Sequence, residues 1–348
     1  MANDADAQQP ARFGERSRLG LCVALGTILW FVPAPEGLQP AAWHLFAIFA
    51  ATILSILLSV RAAIAALTGL IALAVGRPLD PDSATGALRM ALSGFAEPVV
   101  WLIAVAFFVA RGLVVSGLGE RLALLLIRTF GKTSLGLAYA LIGSDTLLAP
   151  AIPSNTARGG GVILPLARSV SLALGSTPGE GTRKEVGRFL LFAAFQGNVL
   201  TCGVFMTAVV GNHIVARLAA PFALEINFGT WIVASIVPAL CALVVVPLYV
   251  YRGLPPNKKH TPDAPAWAAR ELERMGPMSI SEKRMLLVLA VMLTLWSTGA
   301  YLDIPSTVTA LFGLLLLILL RVLSWNDVSQ EHTAWDTFFW FCIVVMMA

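Results

Sequence analysis

The sequence predicts an all-α polytopic membrane protein, and three observations carry this prediction. The chain of 348 residues is 57% hydrophobic and 13% charged, with a mean hydropathy of +0.80, whereas a soluble domain carries about 25% charged residues. Apolar runs recur from residue 19 to the end of the chain. Between residues 135 and 174, polar and helix-breaking residues interrupt the apolar pattern more often than an intact span tolerates.

Charge, cysteine usage and missing motifs exclude several classes. The net charge of +4 is carried by loops, so it bears on membrane orientation and does not indicate nucleic-acid binding. The cysteines stand singly in apolar runs, without the spacing of a disulfide framework or a zinc site; they are Cys22, Cys202, Cys241 and Cys342. No HExxH or GxSxG motif occurs, so we expect no enzyme, and we expect no cofactor apart from sodium as a candidate coupling ion.

The chain begins with a polar tail and a first series of spans. Residues 1–18 are expected to form a cytoplasmic tail, and residues 19–251 to form a first repeat region. Its first four spans are predicted at 19–32, 43–60, 62–76 and 99–115. A basic cluster follows between residues 111 and 132, and the hairpin enters from that side.

Residues 135–174 predict a re-entrant hairpin. The two apolar runs, 135–148 and 162–174, are each about 14 residues long, whereas a span needs about 20. Irregular backbone at membrane depth survives only where protein buries it or where it lines a wet cavity. The polar tip, Ser154, Asn155 and Thr156, is therefore a candidate site. A proline-broken loop with ordinary helix capping is the structural alternative.

The chemistry of the tip suits an anion together with a small cation. Ser154 is placed to cap the second half-helix, whose free N–H groups and positive dipole end attract a carboxylate. Carbonyl groups at the end of the first half-helix suit a cation, as in the broken helices of transporters. Asn155 offers both an oxygen and an amide. Ser154 and Asn155 are therefore candidates for both ions.

Two charged residues flank the tip, and each has two interpretations. Asp145 lies at membrane depth, where a charge costs about 2.5–3.5 kcal/mol on insertion scales, so it is either a coupling-ion ligand or the partner of Arg158. Arg158 either pairs with Asp145 or clamps a substrate carboxylate with its guanidinium. A fixed positive charge there would also suit an exchanger, because it replaces a coupling cation.

The remaining chain contains a broken span, a basic loop and further spans. A fifth span at 189–218 is interrupted by polar and glycine residues at 196–203, which predicts a broken helix, and a sixth follows at 229–251. The loop 252–284 carries seven Lys or Arg against four Asp or Glu and is expected to be cytoplasmic. Residues 285–348 then contain spans at 285–302 and 306–323 and an apolar run from residue 338.

The distribution of basic residues supports this topology. With a re-entrant hairpin, the amino terminus, Arg61, the 111–132 cluster and the 252–284 loop all fall on one side. The positive-inside rule makes that side cytoplasmic. A hairpin that crossed the membrane would place the basic 252–284 loop outside, so the charges favour re-entry.

Two short matches indicate an internal repeat. Residues 66–70 (ALTGL) resemble residues 310–314 (ALFGL), and the stretch around Trp101 resembles that around Trp340, at offsets of 244 and 239. By the topology above, the third span runs outward and the eighth inward. The repeats are therefore predicted to be inverted, a plan common in transporters.

The motif at residues 153–161, Pro-Ser-Asn-Thr-Ala-Arg-Gly-Gly-Gly, resembles the signature of the divalent anion:sodium symporter family. The resemblance covers the whole chain and is closest to the branch of citrate/succinate antiporters and 2-oxoglutarate/malate translocators. It implies that the Ser-Asn-Thr tip binds substrate carboxylate and, in sodium-coupled members, sodium. It also implies that the fifth-span break completes the site, with Asn198 and Thr201 for substrate and Gly203 for the cation.

We therefore expect a secondary carrier of di- or tricarboxylates in a bacterial inner membrane, of the citrate, succinate, 2-oxoglutarate, malate or tartrate class. Exchange of substrates is expected, by an elevator-type motion of a transport domain against a scaffold, in an intact protein that is a homodimer. A sodium-coupled carboxylate or inorganic-anion symporter is one alternative. A subunit of a sodium-pumping decarboxylase is the alternative from another class.

The second repeat is expected to be incomplete. The first repeat continues for about 140 residues beyond Trp101, whereas the chain stops eight residues after Trp340. A second hairpin, a second tip and the last two spans would be absent, so this chain is expected not to transport alone.

Overall fold

A computed structural model describes residues 14–152, 154–178, 181–224 and 226–347. Among these residues the structure is helical, with no β-strand and with an isolated bridge between Thr133 and His260. The predicted all-α class is therefore confirmed. Residues 1–13, which make up most of the predicted tail, and Pro153 of the hairpin turn lie outside the described residues.

Helices occupy all of the predicted apolar runs, and further helices lie between them. In chain order they are α1 (Glu15–Phe31), α2 (Pro40–Leu57), α3 (Ala62–Gly76), α4 (Ala84–Ala91), α5 (Pro98–Ser116), α6 (Leu118–Phe130), α7 (Ser134–Leu148), α8 (Asn155–Arg158), α9 (Leu164–Ala173), α10 (Gly187–Thr201), α11 (Val210–Ala219), α12 (Phe228–Gly253), α13 (Asp263–Met275), α14 (Ile280–Leu302), α15 (Ser306–Leu319), α16 (Trp325–Ser329) and α17 (His332–Met347). A π-helical turn, Gly159–Ile163, joins α8 to α9 without a gap. By length and composition, α2, α5 and α12 are able to cross a membrane.

The chain divides into two compact units. The first comprises the described residues of 1–104 and 332–348. In this unit α2 packs against α1 and α3, and α17 packs against α2, α3 and α4. Ile48, Ala66, Leu73 and Ile343 are buried in its core. Residues from both ends of the chain therefore share one hydrophobic core.

The second unit comprises the described residues of 105–331 and contains the hairpin and the broken span. Within it α10 packs against α7, α9 and α12, and α6 packs against α7 and α13. The hairpin is therefore held by α10 along both of its halves and by α6 along its first half.

The two ends of the hairpin, which are the start of α7 and the end of α9, lie close together. The backbone N–H of Ser134, at the start of α7, donates to the carbonyl of Lys259 at 3.0 Å. The Lys258 Nζ donates to the carbonyl of Leu174, at the end of α9, at 3.0 Å. Lys259 contacts one end of the hairpin and its neighbour Lys258 contacts the other, so the hairpin begins and ends at the same place. α7 has 15 residues, about 22 Å at 1.5 Å per residue, which is shorter than a hydrocarbon core of about 30 Å.

The break in the fifth span lies later than predicted. α10 continues through the predicted interruption at 196–203 as far as Thr201, and the chain departs from regular α-helix between residues 202 and 209. The reason is that the polar and glycine residues of this helix have partners. Gly197 packs so closely on Ile142 that an added Cβ would meet its Cγ1 at 2.4 Å, and the Asn198 amide donates to Asp145.

Two amphipathic helices were predicted only as charged connections. α6 buries Leu118, Ala123, Leu124 and Ile127, and α13 buries Ala264, Ala268 and Leu272. Several helices also begin earlier than predicted, among them α1, α14 (Ile280 and not residue 285) and α17. α1 begins at Glu15, so the end of the predicted tail is helical, and α17 begins at His332 and not at residue 338.

The predicted repeat is supported by backbone conformation and by burial. Ser59 and Arg77 have positive φ angles of 62° and 49°, and so do Asp303 and Arg321, at 53° and 57°. Each residue of the first pair lies 244 positions before its counterpart, and positive φ is uncommon outside glycine. The buried residues of α3 and α15 obey the same offset: Ala65, Ala66, Gly69 and Leu73 correspond to Thr309, Ala310, Gly313 and Leu317. The inverted relation of the repeats stays a prediction.

Candidate functional site

Two helix discontinuities of the second unit contribute to one buried polar network. Asp145 lies near the end of α7, before the hairpin turn, and Arg158 lies at the end of α8, after it. Asn198 and Thr201 lie in the last turn of α10, before the break. The side chains of Asp145, Arg158 and Thr201 are 1% exposed or less, and Asn198 is half-buried. The structure thus brings together four residues that the sequence identified as candidates.

All three guanidinium nitrogens of Arg158 donate hydrogen bonds. Its Nε donates to Asp145 Oδ1 at 2.7 Å. Its Nη1 donates to the carbonyls of Ile152 at 2.7 Å and Ala208 at 3.0 Å. Its Nη2 donates to Thr201 Oγ1 at 3.1 Å and lies 3.9 Å from Cys202 Sγ. The pairing of Arg158 with Asp145, one of the two interpretations from sequence, is therefore present.

Asp145 accepts hydrogen bonds from three residues. Besides Arg158, the Asn198 Nδ2 donates to its Oδ2 at 3.1 Å and approaches Oδ1 at 3.3 Å. The Thr201 hydroxyl, which accepts from Arg158, donates to Asp145 Oδ2. A buried charge is tolerated only when it is paired and hydrogen-bonded, and this carboxylate meets both conditions.

Side chains also satisfy the backbone carbonyls that the break leaves without helical partners. The Asn212 Nδ2 donates to the carbonyls of Cys202 at 2.7 Å and Phe205 at 3.0 Å. Trp231 Nε1 donates to the Gly203 carbonyl at 3.0 Å, and Ser235 Oγ donates to that of Val204 at 2.7 Å. In the hairpin turn, Thr207 Oγ1 donates to the Pro150 carbonyl at 2.9 Å. Both discontinuities are therefore fixed by specific hydrogen bonds.

The tip residues remain open to their surroundings. Ser154 and Asn155 are half-buried and Thr156 is exposed. Ser154 Oγ caps the helix by accepting from the Ala157 N–H at 3.2 Å, as predicted. Asn155 Oδ1 accepts from the Thr156 N–H at 3.0 Å. The side-chain oxygens of Ser154 and Asn155 thus accept from backbone groups of the tip itself, at the start of a helical segment that runs on to Ala173.

The three glycines after the tip have different environments. A Cβ added to Gly159 would lie 3.0 Å from Asn198 Cγ and Nδ2, whereas one added to Gly160 or Gly161 would meet nothing within 4 Å. Among these three glycines, close approach of another group is therefore a property of Gly159 alone. The neighbouring π-helical turn carries the exposed face of Gly160 and Gly161, and such turns are frequent at functional sites.

Gly203, predicted at the cation site, lies beside the network and not within it. It is exposed, and its carbonyl accepts from the Trp231 indole. Sequence reasoning missed the residues that support the break: Asn212, Thr207, Trp231 and Ser235. The signal that could have found Asn212 is an amide within the predicted fifth span, nine residues after the predicted break. No group of three or more His, Cys, Asp or Glu residues placed to hold a metal occurs in the part of the chain that the structure describes.

Comparison with known proteins gives a family and named relatives. The family model described as "Sodium:sulfate symporter transmembrane region" matches residues 15–348. The chain is 44% identical to "Putative malate transporter YflS" of Bacillus subtilis (strain 168), over all of this chain and 72% of that protein. It is 42% identical to "Dicarboxylate transporter 1, chloroplastic" of Arabidopsis thaliana, over 94% of this chain and 58% of that protein.

A further bacterial relative is "Inner membrane protein YbhI" of Escherichia coli (strain K12), 35% identical over 93% of this chain and 68% of that protein. The chain thus spans between about three fifths and three quarters of the length of these relatives. The family and the relatives named for a function are transporters, not enzymes, which removes the decarboxylase-subunit alternative. The chain is a membrane protein that belongs to the family of sodium:sulfate symporter transmembrane regions, the divalent anion:sodium symporter family that the hairpin motif predicts.

Proposed function

We propose that this chain forms part of a secondary carrier for di- and tricarboxylate anions and holds one substrate carboxylate at the tip of its hairpin. The observation that carries the proposal is the tip itself. Ser154 and Asn155 are half-buried and Thr156 is exposed at the start of a helix, while Asp145, Arg158 and Thr201 behind them are buried and hydrogen-bonded to one another. The relatives named for malate and dicarboxylates supply the substrate class.

The tip offers donors that suit a carboxylate. The dipole of the helical segment favours negative charge at its start, and the Thr156 hydroxyl and the Asn155 side-chain amide are donors there. Of the two predicted break residues, Asn198 keeps an exposed fraction that substrate could reach, whereas Thr201 is fully buried. We therefore assign substrate contact to Ser154, Asn155, Thr156 and Asn198, and assign Thr201 a supporting place.

Thermal unfolding with candidate ligands tests this function. Malate, succinate, 2-oxoglutarate, citrate and tartrate are added to the purified chain in detergent, with sulfate as the inorganic anion that the family description names. We expect carboxylates to raise the melting temperature in a saturable manner. Stabilisation by sulfate alone would favour the inorganic-anion alternative.

Substitution of Asn155 tests the location of the site. Asn155→Ala removes both an amide donor and an oxygen at the tip, and we expect it to abolish carboxylate-dependent stabilisation. Asn326→Ala is the matched control, because Asn326 is an exposed asparagine on α16 of the same unit. If Asn155→Ala binds carboxylate with the affinity of the unmodified chain, the tip is not the site.

We further propose that transport is an exchange of substrates that does not require sodium. In sodium-coupled carriers, backbone carbonyls at a helix break coordinate the cation. Here the carbonyls of the α10–α11 break already accept hydrogen bonds from the side chains of Arg158, Asn212, Trp231 and Ser235. Arg158 does not supply the fixed positive charge expected to replace a coupling cation, because Asp145 neutralises it, so the proposal of exchange rests on the occupied carbonyls. The proposal predicts equal carboxylate affinity in sodium and in choline buffers. A strong increase in affinity with sodium would favour sodium coupling, since linkage between two ligands is reciprocal.

The remaining proposals concern the whole carrier. We propose an elevator-type motion, a homodimer of the intact protein, and a location in the bacterial inner membrane with the amino terminus in the cytoplasm. The orientation rests on the distribution of Lys and Arg among the loops, and the location agrees with the name of the Escherichia coli relative.

A further inference from the structure

We propose that Asp145 and Arg158 form a charge-neutral latch that positions the hairpin tip against the α10–α11 break, and that neither side chain contacts substrate or a coupling cation. The statement about substrate rests on the proposed function, whereas the statement about the latch does not. Both residues are thus positioning residues, which act on the site through the tip and through Asn198.

The first observation is the use of donors. An arginine side chain has five N–H donors. Nε of Arg158 donates to Asp145, Nη1 donates to two carbonyls, and Nη2 contacts Thr201 Oγ1 and Cys202 Sγ. The side chain is 0% exposed. It therefore has neither a donor nor a surface to offer to a substrate carboxylate in this conformation.

The second observation is where the partners of Arg158 come from. Asp145 precedes the hairpin turn, Ile152 lies within the turn, and Arg158 itself follows the turn. Thr201 is the last residue of α10, and Ala208 lies within the break that follows, shortly before α11. One guanidinium thus connects both halves of the hairpin with the end of α10 and with the break. Without this group, the tip and Asn198 would no longer be held in a fixed position relative to each other.

The third observation is the saturation of the carboxylate. Asp145 accepts from Arg158, from the Asn198 amide and from the Thr201 hydroxyl, and its side chain is 1% exposed. A cation at this carboxylate would have to displace at least one of these donors. The pair is electrically neutral as a unit, so the network requires no further counter-ion.

Three roles for the pair give three different patterns in a double-mutant cycle. Removal of one member of a buried ion pair leaves an unpaired buried charge and is strongly destabilising, whereas removal of both is much milder. A latch therefore predicts that the double variant recovers what each single variant loses. A substrate clamp predicts that every variant without Arg158 loses affinity. A cation ligand predicts that every variant without Asp145 loses a sodium response.

The experiment compares Asp145→Asn, Arg158→Gln and the double variant with the unmodified chain. Melting temperature without ligand and malate affinity from thermal-shift titration are measured, in sodium and in choline buffers. We expect each single variant to have a lower melting temperature and an affinity at least about tenfold weaker, equivalent to about 1.4 kcal/mol. We expect the double variant to recover to within about threefold of the unmodified affinity, about 0.7 kcal/mol.

Two outcomes of the cycle would overturn the latch. One is a double variant that binds malate as weakly as Arg158→Gln while its melting temperature recovers, which would identify a substrate clamp. The other is a sodium-dependent affinity in the unmodified chain that disappears with Asp145→Asn and stays absent in the double variant, which would identify a cation ligand. If the unmodified chain binds no carboxylate, the proposed function fails, and the melting temperatures alone still test the latch.

A pair of substitutions at Thr201 covers the case in which the double variant does not fold. Thr201→Val removes the hydroxyl that links Asp145 and Arg158, and Thr201→Ser keeps it. The latch predicts weaker malate binding and faster alkylation of Cys202 in Thr201→Val, with both properties near normal in Thr201→Ser. Cys202 is a suitable reporter because its Sγ lies in this network and the residue is half-buried; the exposed Cys241 is first replaced by Ser. Equal behaviour of the two variants would contradict the latch.

Discussion

Gly159 shows how tightly single residues of the candidate site are fitted. An added Cβ at this position would lie 3.0 Å from Asn198 Cγ and Nδ2 and 3.1 Å from Oδ1. The Asn198 amide cannot easily retreat, because it donates to Asp145. The next residue, Gly160, has the same type of helical surroundings but nothing within 4 Å of an added Cβ. The two positions therefore form a natural pair of test and control.

We predict that Gly159→Ala lowers the free energy of unfolding by about 1–3 kcal/mol, because overpacking displaces Asn198 from Asp145. Gly160→Ala is expected to be neutral or to stabilise by about 0.5–1 kcal/mol, since alanine loses less chain entropy in a helix. Thermal or denaturant unfolding in detergent measures both. If the two variants have equal stability, the packing of Gly159 against Asn198 is unimportant.

At this scale the sequence predicted which polar residues lie together better than it predicted their contacts. Asp145 and Arg158 are conspicuous because charges are rare in apolar runs, and an ion pair between them was one of two interpretations. The contacts of Arg158 with the carbonyls of Ile152 and Ala208 could not be foreseen. They depend on how the hairpin turn and the break after α10, about 50 residues apart in sequence, meet in space.

Among the elements, α6 and α14 are joined by one ion pair. Arg121 of α6 donates through Nε and Nη2 to the two oxygens of Glu282, and through Nη1 to the Gly276 carbonyl. Glu282 lies in the first turn of α14, before the predicted span, and forms a capping box with Ser279. Burial raises the pKa of Glu282, but hydrogen bonds from Arg121 and Ser279 outweigh burial, and the pKa lies below its ordinary value.

We predict that Glu282→Gln lowers the free energy of unfolding at neutral pH by about 3 kcal/mol, because it leaves Arg121 without its counter-ion. Glutamine can still complete a capping box, so the loss reports on the ion pair. The pKa of Glu282 in the folded protein is lowered, so its stabilising contribution is complete above the unfolded-state pKa of about 4.3 and is lost as pH falls through the folded-state pKa. The stability of Glu282→Gln should therefore decrease less steeply in acid.

Glu271→Gln is the control for this element-scale prediction. Glu271 pairs with Arg274 at 2.8 Å on α13, but the Arg274 side chain is 78% exposed. Exposed pairs contribute about 0–1 kcal/mol, so both the stability and its pH dependence should change little. Unfolding curves are measured between pH 7 and pH 3 for the unmodified chain, Glu282→Gln and Glu271→Gln. Equal losses of unfolding free energy in the two variants would show that the α6–α14 ion pair stabilises the protein no more than an exposed pair does.

The elements that the sequence predicted correctly are those that apolar length alone defines. The span predicted at 62–76 coincides with α3, and that at 229–251 differs from α12 by one or two residues at each end. α6 and α13 were missed because their apolar faces are narrow and their other faces are charged, so that they resemble loops in composition. The break was placed too early because polar and glycine residues in α10 have partners on α7 that sequence does not reveal.

For the molecule as a whole, the repeat could be predicted in part. Short matches at one offset found the α3 and α15 pair, and the left-handed residues Ser59, Arg77, Asp303 and Arg321 share that offset. Left-handed conformation at a non-glycine residue leaves no mark in a single sequence, so this support could come only from coordinates. The correspondence lies in local backbone conformation, which is the property that repeats keep when their side chains diverge.

The last prediction concerns the orientation of the second unit in the membrane. α12 has 26 residues, about 39 Å, and is long enough to cross a hydrocarbon core of about 30 Å. Its first end follows the segment that contains Phe222, and its last end leads into the basic loop 252–284 with its seven Lys or Arg. We therefore predict that Asn257→Cys reacts with an impermeant thiol reagent only after the inner membrane is opened, and that Phe222→Cys reacts in intact cells whose outer membrane has been permeabilised.

Both positions suit labelling, because Asn257 is exposed in the loop and Phe222 is 77% exposed. The background protein carries Cys241→Ser, which removes the exposed native thiol, and a parent without either new cysteine measures residual labelling. The positive-inside rule makes the side with the basic loop cytoplasmic, so the reverse labelling pattern would invert the proposed orientation. Labelling of both cysteines from one side would show that α12 does not cross the membrane. Lys258 and Lys259 hydrogen-bond to the two ends of the hairpin. The side of the membrane on which Asn257 is labelled is therefore also the side on which the hairpin begins and ends.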